Sequence, residues 1–188
     1  MLPEDKMPEA EVTLRLAISL IENGHVLGDI IAAIDGAQVR TKNTIHFQLV
    51  EFLNERGWTS PDQQKRWQSK YSNKKYAASI IVHSSSGVGD LVAELRSGQR
   101  LRVESKKGPL IRSKSSQEYS LIREAIGQLV TIEHVEQTDV LAVAVPKSEK
   151  FDALAELWRV RPLMKSTGIH ILTIGRDNSV SGLSDLIQ

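Results

Sequence analysis

Residues 140–145, VLAVAV, form an unbroken apolar run between Asp139 and Pro146. A strand with one wet face alternates apolar and polar positions, so this run predicts a strand covered on both faces. Such a strand needs a layer above and a layer below. The flanking sequence offers both: residues 118–131 form an amphipathic helix through Leu121, Ile122, Ala125, Ile126 and Leu129, and residues 151–165 return to helical spacing, kinked or ended at Pro162. A last strand, 169–174, follows.

Upstream, 76–83 is a strand candidate, and 90–95 and 100–106 alternate around a turn at Gly98, which predicts a hairpin. The N-terminal third reads as helical. One helix spans 11–23 and stops at Asn23-Gly24, and a short one spans 27–34 and stops at Asp35-Gly36. A longer one spans 44–56, closed by Gly57 and burying Ile45, Leu49, Phe52 and Leu53. Residues 59–75 read as a polar, basic loop or a short exposed helix. The order helix, three strands, helix, strand, helix, strand implies an α/β sandwich around a mixed sheet. With 188 residues, one catalytic-sized domain is expected at 44–188, preceded by an N-terminal helical extension at 1–43.

Cysteine is absent, which excludes disulfides, thiolate metal sites and a cysteine nucleophile. A bound metal must therefore use oxygen or imidazole ligands. The first ten residues lack an apolar signal core and no run is long enough to span a bilayer, so a cytoplasmic protein without membrane contact is expected. The net charge of +1 conceals an uneven distribution: residues 62–114 carry 12 Lys and Arg against 4 Asp and Glu. A basic segment of this kind suits a polyanion, and it makes Lys74, Lys75, Lys107, Arg112 and Lys114 candidate phosphate contacts. A loosely charged, solvated surface is the plain alternative.

Side chains on a strand alternate faces, so Glu104 and Lys106 project together while Leu101 and Val103 mark a buried face. If the two hairpin strands pair, Asp90 falls level with Glu104. Two carboxylates and an ammonium then meet at one point. Two carboxylates with a backbone carbonyl are hard oxygen ligands for Mg²⁺, with Mn²⁺ as a possible substitute, and they leave positions open for water and a phosphate oxygen. The competing explanation for the three residues is an exposed cross-strand ion pair.

The stretch Gly89-Asp90-Leu91-Val92-Ala93, then Gly98, then Leu101-Arg102-Val103-Glu104-Ser105-Lys106-Lys107-Gly108 resembles the signature of the PD-(D/E)XK nuclease superfamily. Within it, Val82-His83-Ser84-Ser85-Ser86-Gly87 leading into Asp90 is most similar to archaeal Holliday-junction resolvases and Mrr-type restriction endonucleases. The resemblance covers about residues 44–145. It implies a restriction-endonuclease-like αβββαβ core, with Asp90 and Glu104 as metal ligands, Ser105 lending its carbonyl, and Lys106 as the catalytic lysine. Many members place a glutamate in the first core helix; counting back from Gly57-Trp58, that slot falls on His46, whose alternative is a half-buried core histidine. Gln128 resembles a glutamine that some members hold beside the scissile phosphate, its alternative being to cap a backbone group. Ser85, in the stretch that carries the resemblance, is a further candidate nucleic-acid contact.

The function expected is a metal-dependent endonuclease hydrolysing DNA phosphodiesters. Alternatives are an RNA-directed nuclease of the same fold and a catalytically silent nucleic-acid-binding or assembly protein. One D…ExK set supplies one centre, so cutting two strands calls for a homodimer. The N-terminal helices and the 151–165 helix, with Leu154, Leu157, Trp158 and Leu163, are the expected interface.

Overall fold

The computed structural model describes residues 2–62, 66–85, 87, 89–111, 117–184 and 186. The chain opens with β1 (Lys6–Met7), α1 (Glu9–Glu22) and β2 (Ile30–Ala33). An excursion follows: α2 (Gly36–Val39), a small hairpin of β3 (Arg40–Thr41) and β4 (Thr44–Ile45), α3 (Leu49–Asn54), β5 (Lys70–Tyr71) and β6 (Ile80–His83). Then come β7 (Leu91–Glu94), β8 (Arg100–Ser105), β9 (Gly108–Pro109), α4 (Gln117–Val130) and β10 (Asp139–Pro146). The chain closes with α5 (Glu149–Arg159), α6 (Pro162–Thr167), β11 (His170–Ile174) and β12 (Val180–Ser181).

The described residues form an eight-stranded sheet in the order β12-β11-β10-β8-β7-β2-β6-β5. It is mixed, as expected: β8, β10 and β11 are mutually parallel, as are β2 and β6, while β7 runs antiparallel to both its neighbours, β8 and β2. Strands β2, β6, β8, β10 and β11 therefore end at one edge of the sheet, where β7 begins. Loops at that edge can converge without distorting the ladder, which is where open α/β sheets place their ligands.

Strand β10 is covered on both sides. Ala142 and Ala144 join the core that holds α1, while Val143 and Val145 join the one built on Ile122, Ala125 and Phe151. The small residues let α1 approach closely, and the larger ones fill the space under α4 and α5. Helix α1 itself is buried without interruption from Ala10 to Ile21. On its outer side Phe47, Phe52 and Leu53 of the excursion complete the same core. Charges in so enclosed a helix need partners. Glu11 receives Arg15 Nε at 2.8 Å and Arg176 Nε at 3.1 Å.

Three expectations are corrected. Residues 27–34 are not a helix; Ile30–Ala33 is a strand between β7 and β6. Its burial alternates, with Ile30 and Ala32 inside and Ile31 39% exposed, and its paired β-branched residues favour the pleat. The helix expected over 44–56 starts only at Leu49; Thr44–Ile45 belongs to the small hairpin, and Ile45 is 57% exposed rather than inward. The helix expected over 151–165 is two helices. Pro162 occupies the first turn of α6, where its missing N–H costs no hydrogen bond. Residues 1–43 thus contribute a core helix and an internal strand to the same sheet as the rest of the chain.

The enclosure of α1 also removes it as the expected dimer surface, because its apolar residues are used in the core. The α5–α6 surface does expose Leu157, Val160 and Leu163. Among the described residues, no helix is long and apolar enough to cross a membrane.

Candidate active site

The hairpin expected between 90 and 106 is present, with Leu91 opposite Val103 and Glu94 opposite Arg100. One step beyond that register Asp90 stands level with Glu104. The join is tight: Asp90 N–H donates to the Val103 carbonyl at 2.8 Å, and Ser105 N–H donates to Asp90 Oδ2 at 2.8 Å. Gly89 permits this approach. Its φ is +125°, and a Cβ there would stand 2.9 Å from the Val103 oxygen, so another residue would push β7 off β8 just where Asp90 enters.

Lys106 follows Glu104 on the same face, and its Nζ lies 3.3 Å from Glu104 Oε1. From the opposite side α4 brings Glu124, whose Oε1 is 3.4 Å from the same Nζ. The Lys106 side chain is only 7% exposed and that of Glu104 14%. A fifth group reaches the site from the first turn of α1: the charge of Glu9 acts on Asp90, Glu104 and Lys106 alike. Glu9 is held by Gln38, whose Nε2 donates to its Oε1 at 2.6 Å. A carboxylate at a helix N-terminus is also favoured by the backbone dipole.

The electrostatics follow from crowding carboxylates at low exposure. Burial, then repulsion from Glu104, pushes the Asp90 carboxyl up to about 7, although the Ser105 N–H opposes the shift. Glu104 is raised as well, by burial first, with Lys106 pulling it back and Glu9 and Glu124 adding to the rise. Burial by itself would loosen the proton on Lys106. Glu9, Glu104 and Glu124 together outweigh it, and the ammonium holds its proton more tightly than a free lysine. Lys106 is therefore a fixed cation at neutral pH.

One consequence is open to measurement without any substrate. Because the folded state binds the Asp90 proton more tightly than the unfolded chain, this residue adds stability below its ordinary pKa of 3.8, and that stability is lost as pH rises through about 7. Asp90→Asn keeps an acceptor for Ser105 N–H and removes the charge. In chelator at pH 8 the variant is expected to be more stable than the parent by about 1–3 kcal/mol, since a tenfold change in proton affinity is about 1.4 kcal/mol. At pH 4 the gain should vanish. Equal stabilities at pH 8 would show that the Asp90 charge is not penalised.

Among the described residues, no group of three or more His, Cys, Asp or Glu side chains forms a ready-made metal cage. The donor set nevertheless fits a hard dication that keeps most of its waters, for which two carboxylates suffice. Asp90 and Glu104 repel one another as they stand, and a cation between them would hold both ionised.

The other candidates separate. His46 is not with the carboxylates: it is exposed, and its Nε2 lies 3.0 Å from Thr41 Oγ1. It shares with Glu9 and Lys107 only the wall of a cleft. Gln128 is exposed on α4, one turn beyond Glu124, which is the residue of that helix that meets Lys106. Ser105 supplies the N–H that binds Asp90, and its own Oγ is buried with no hydrogen-bond partner among the described residues.

Ser85 is exposed just past the end of β6, at the site's edge of the sheet, its N–H donating to His83 Nδ1 at 3.1 Å. Lys74 and Lys75 are exposed at the opposite edge, because Tyr71 pairs with Ile80, the first residue of β6. Arg112 and Lys114 lie outside the described residues. Reading by local pattern missed Glu9 and Glu124. For Glu9 a signal existed, an acid in the first turn of a helix rich in apolar residues, but its target lies far along the chain. Compared with protein-family models, curated proteins and solved structures, the chain matches none of them.

Proposed function

We propose that the protein is a divalent-metal-dependent nuclease of the PD-(D/E)XK type that hydrolyses DNA phosphodiester bonds. The observation that carries this reading is the convergence of Asp90, Glu104 and the buried cation Lys106 on one sheet edge, with Asp90 raised by burial and then by Glu104. The order α1, β2, the β7–β8 hairpin, α4, β10 supports it, being the helix, three strands, helix and strand that the resemblance implies. In that arrangement the first core helix is α1 rather than the 44–56 segment. Its acid is then Glu9, and His46 leaves the metal set.

Asp90 and Glu104 would hold Mg²⁺ or Mn²⁺ through their oxygens, with the Ser105 carbonyl as the third ligand implied by the resemblance and Glu9 nearby. A bound dication would lower the pKa of a water and neutralise charge developing on the phosphate. Lys106, kept protonated by its glutamates, would bind a non-bridging phosphate oxygen and oppose the same developing charge. Glu9 and Glu124 keep that ammonium charged and aimed. Ser105 N–H fixes one Asp90 oxygen and leaves the other for the metal.

Cleavage of plasmid, single-stranded DNA and RNA, each with Mg²⁺ and with chelator, tests the reading. Metal-dependent scission of DNA is the expected result. Scission of RNA alone would move the assignment to a ribonuclease, and no metal-dependent cleavage of any of the three would remove it.

A further inference from the structure

A cleft of about 1190 Å³ opens beside Glu9, between the segment that precedes α1 and the start of α4. Its walls are apolar where Pro8, Pro109 and Leu121 face it. Among the described residues its charged lining cancels, Lys6 and Lys107 being matched by Asp5 and Glu9. Gln38 and His46 add hydrogen-bonding groups on the side of the small hairpin. The segment that roofs the cleft is fixed in place: β1 pairs with β9, and Arg176 Nη2 donates to the carbonyls of Pro3 and Lys6.

We propose that this cleft holds an unpaired nucleic-acid segment next to the scissile phosphate, so that the preferred substrate is a single strand or a frayed end rather than intact duplex. The position of the scissile bond rests on the nuclease reading above; the choice of strand rests on the cleft itself. A duplex turns its phosphates outward, and proteins that grip it spend half or more of their hydrogen bonds on phosphate and sugar. Such a surface calls for a lining rich in cations. Among the described residues this lining is neutral and its walls are apolar, which suits exposed base faces, with Lys6 and Lys107 within reach of a short run of phosphates. The volume agrees, since about 300–1,000 Å³ already encloses a drug-sized ligand such as one nucleotide. His46 and Gln38 find a role here: an imidazole face for stacking and an amide for a base edge.

The test uses the full chain in chelator, so that nothing turns over. Fluorescence anisotropy compares a labelled oligonucleotide of about 12 nucleotides, the same sequence as blunt duplex, and a mononucleotide competitor. The single strand should bind at least about tenfold more tightly than either. Combining Ala37→Leu with Ser120→Leu, two exposed residues of the lining, should erase that preference without changing the melting temperature. A duplex or mononucleotide held as tightly as the strand, or a preference that survives the double substitution, would overturn the proposal. Hydrolysis of bis(p-nitrophenyl) phosphate with Mn²⁺ reads the metal centre separately. Strand preference without that hydrolysis keeps the cleft and removes the nuclease, and hydrolysis without strand preference does the reverse.

Discussion

Glu104→Gln is expected to lower metal-dependent cleavage by about 10²–10³-fold or more, the range seen when one electrostatic stabiliser of a transition state is removed. The substitution preserves volume and deletes one of the two carboxylates proposed to hold the dication. It also relieves Asp90, whose proton affinity is raised in part by Glu104. Folding stability in chelator should therefore hold or rise while activity falls, a combination that simple misfolding cannot produce. Lys106→Ala should lose a similar factor in rate for a different reason. It leaves Glu9, Glu104 and Glu124 without the cation that balances them, so this variant should be less stable in chelator and should regain stability with Mg²⁺. Wild-type cleavage rates in either variant would take that residue out of the mechanism.

Asp139→Ala should cost about 3–5 kcal/mol of folding stability, the usual penalty for breaking a buried ion pair on one side. The Asp139 carboxylate is inaccessible to solvent and receives Arg100 Nε at 2.6 Å, Arg100 Nη2 at 3.0 Å and Arg102 Nη1 at 2.9 Å. Glu136 N–H adds a further bond at 3.1 Å. Arg102 is 1% exposed, so it cannot turn to water when its carboxylate is deleted. The bonds from Arg100, then those from Arg102 and Glu136, hold the Asp139 carboxyl well below the usual carboxylate range. Its contribution is accordingly complete above about pH 4 and is lost as pH falls towards the depressed pKa. Denaturant unfolding at pH 7 and at pH 3 should show a large gap between parent and variant at pH 7 that narrows in acid. A difference under about 1 kcal/mol at pH 7 would mean that the network is worth no more than a surface pair. Because Asp139 pairs with Arg100 at the start of β8, at the far end from Glu104, residual activity of the folded variant should be near that of the parent.

Local pattern was enough wherever neighbours in sequence are also neighbours in space. The alternation of 90–95 and 100–106 around Gly98 placed Asp90 level with Glu104 and put Lys106 on the same face, because strand periodicity and a short turn leave one register. The run at 140–145 identified a strand covered on both faces for the same reason: its composition reports its surroundings directly. Where the outcome depended on a distant partner, pattern was silent or misleading. Residues 27–34 carry too few positions to tell a short strand from a helical turn, and pairing with β7 and β6 decided in favour of the strand. The 44–56 segment has helical spacing throughout, yet the turn at Lys42, with φ of +51°, and the pairing of Arg40 with Ile45 drew its first residues into a hairpin.

The sequence by itself determined an α/β fold, the β7–β8 hairpin and the triad of Asp90, Glu104 and Lys106, since each follows from residue order within a few positions. Only the tertiary structure decided which helix faces the triad, and with it that Glu9 and Glu124, rather than His46 and Gln128, surround Lys106. Charges interact through space, and no spacing rule links the first turn of α1 to the end of β8; the packing of α1 and α4 on opposite faces of β10 brings them there.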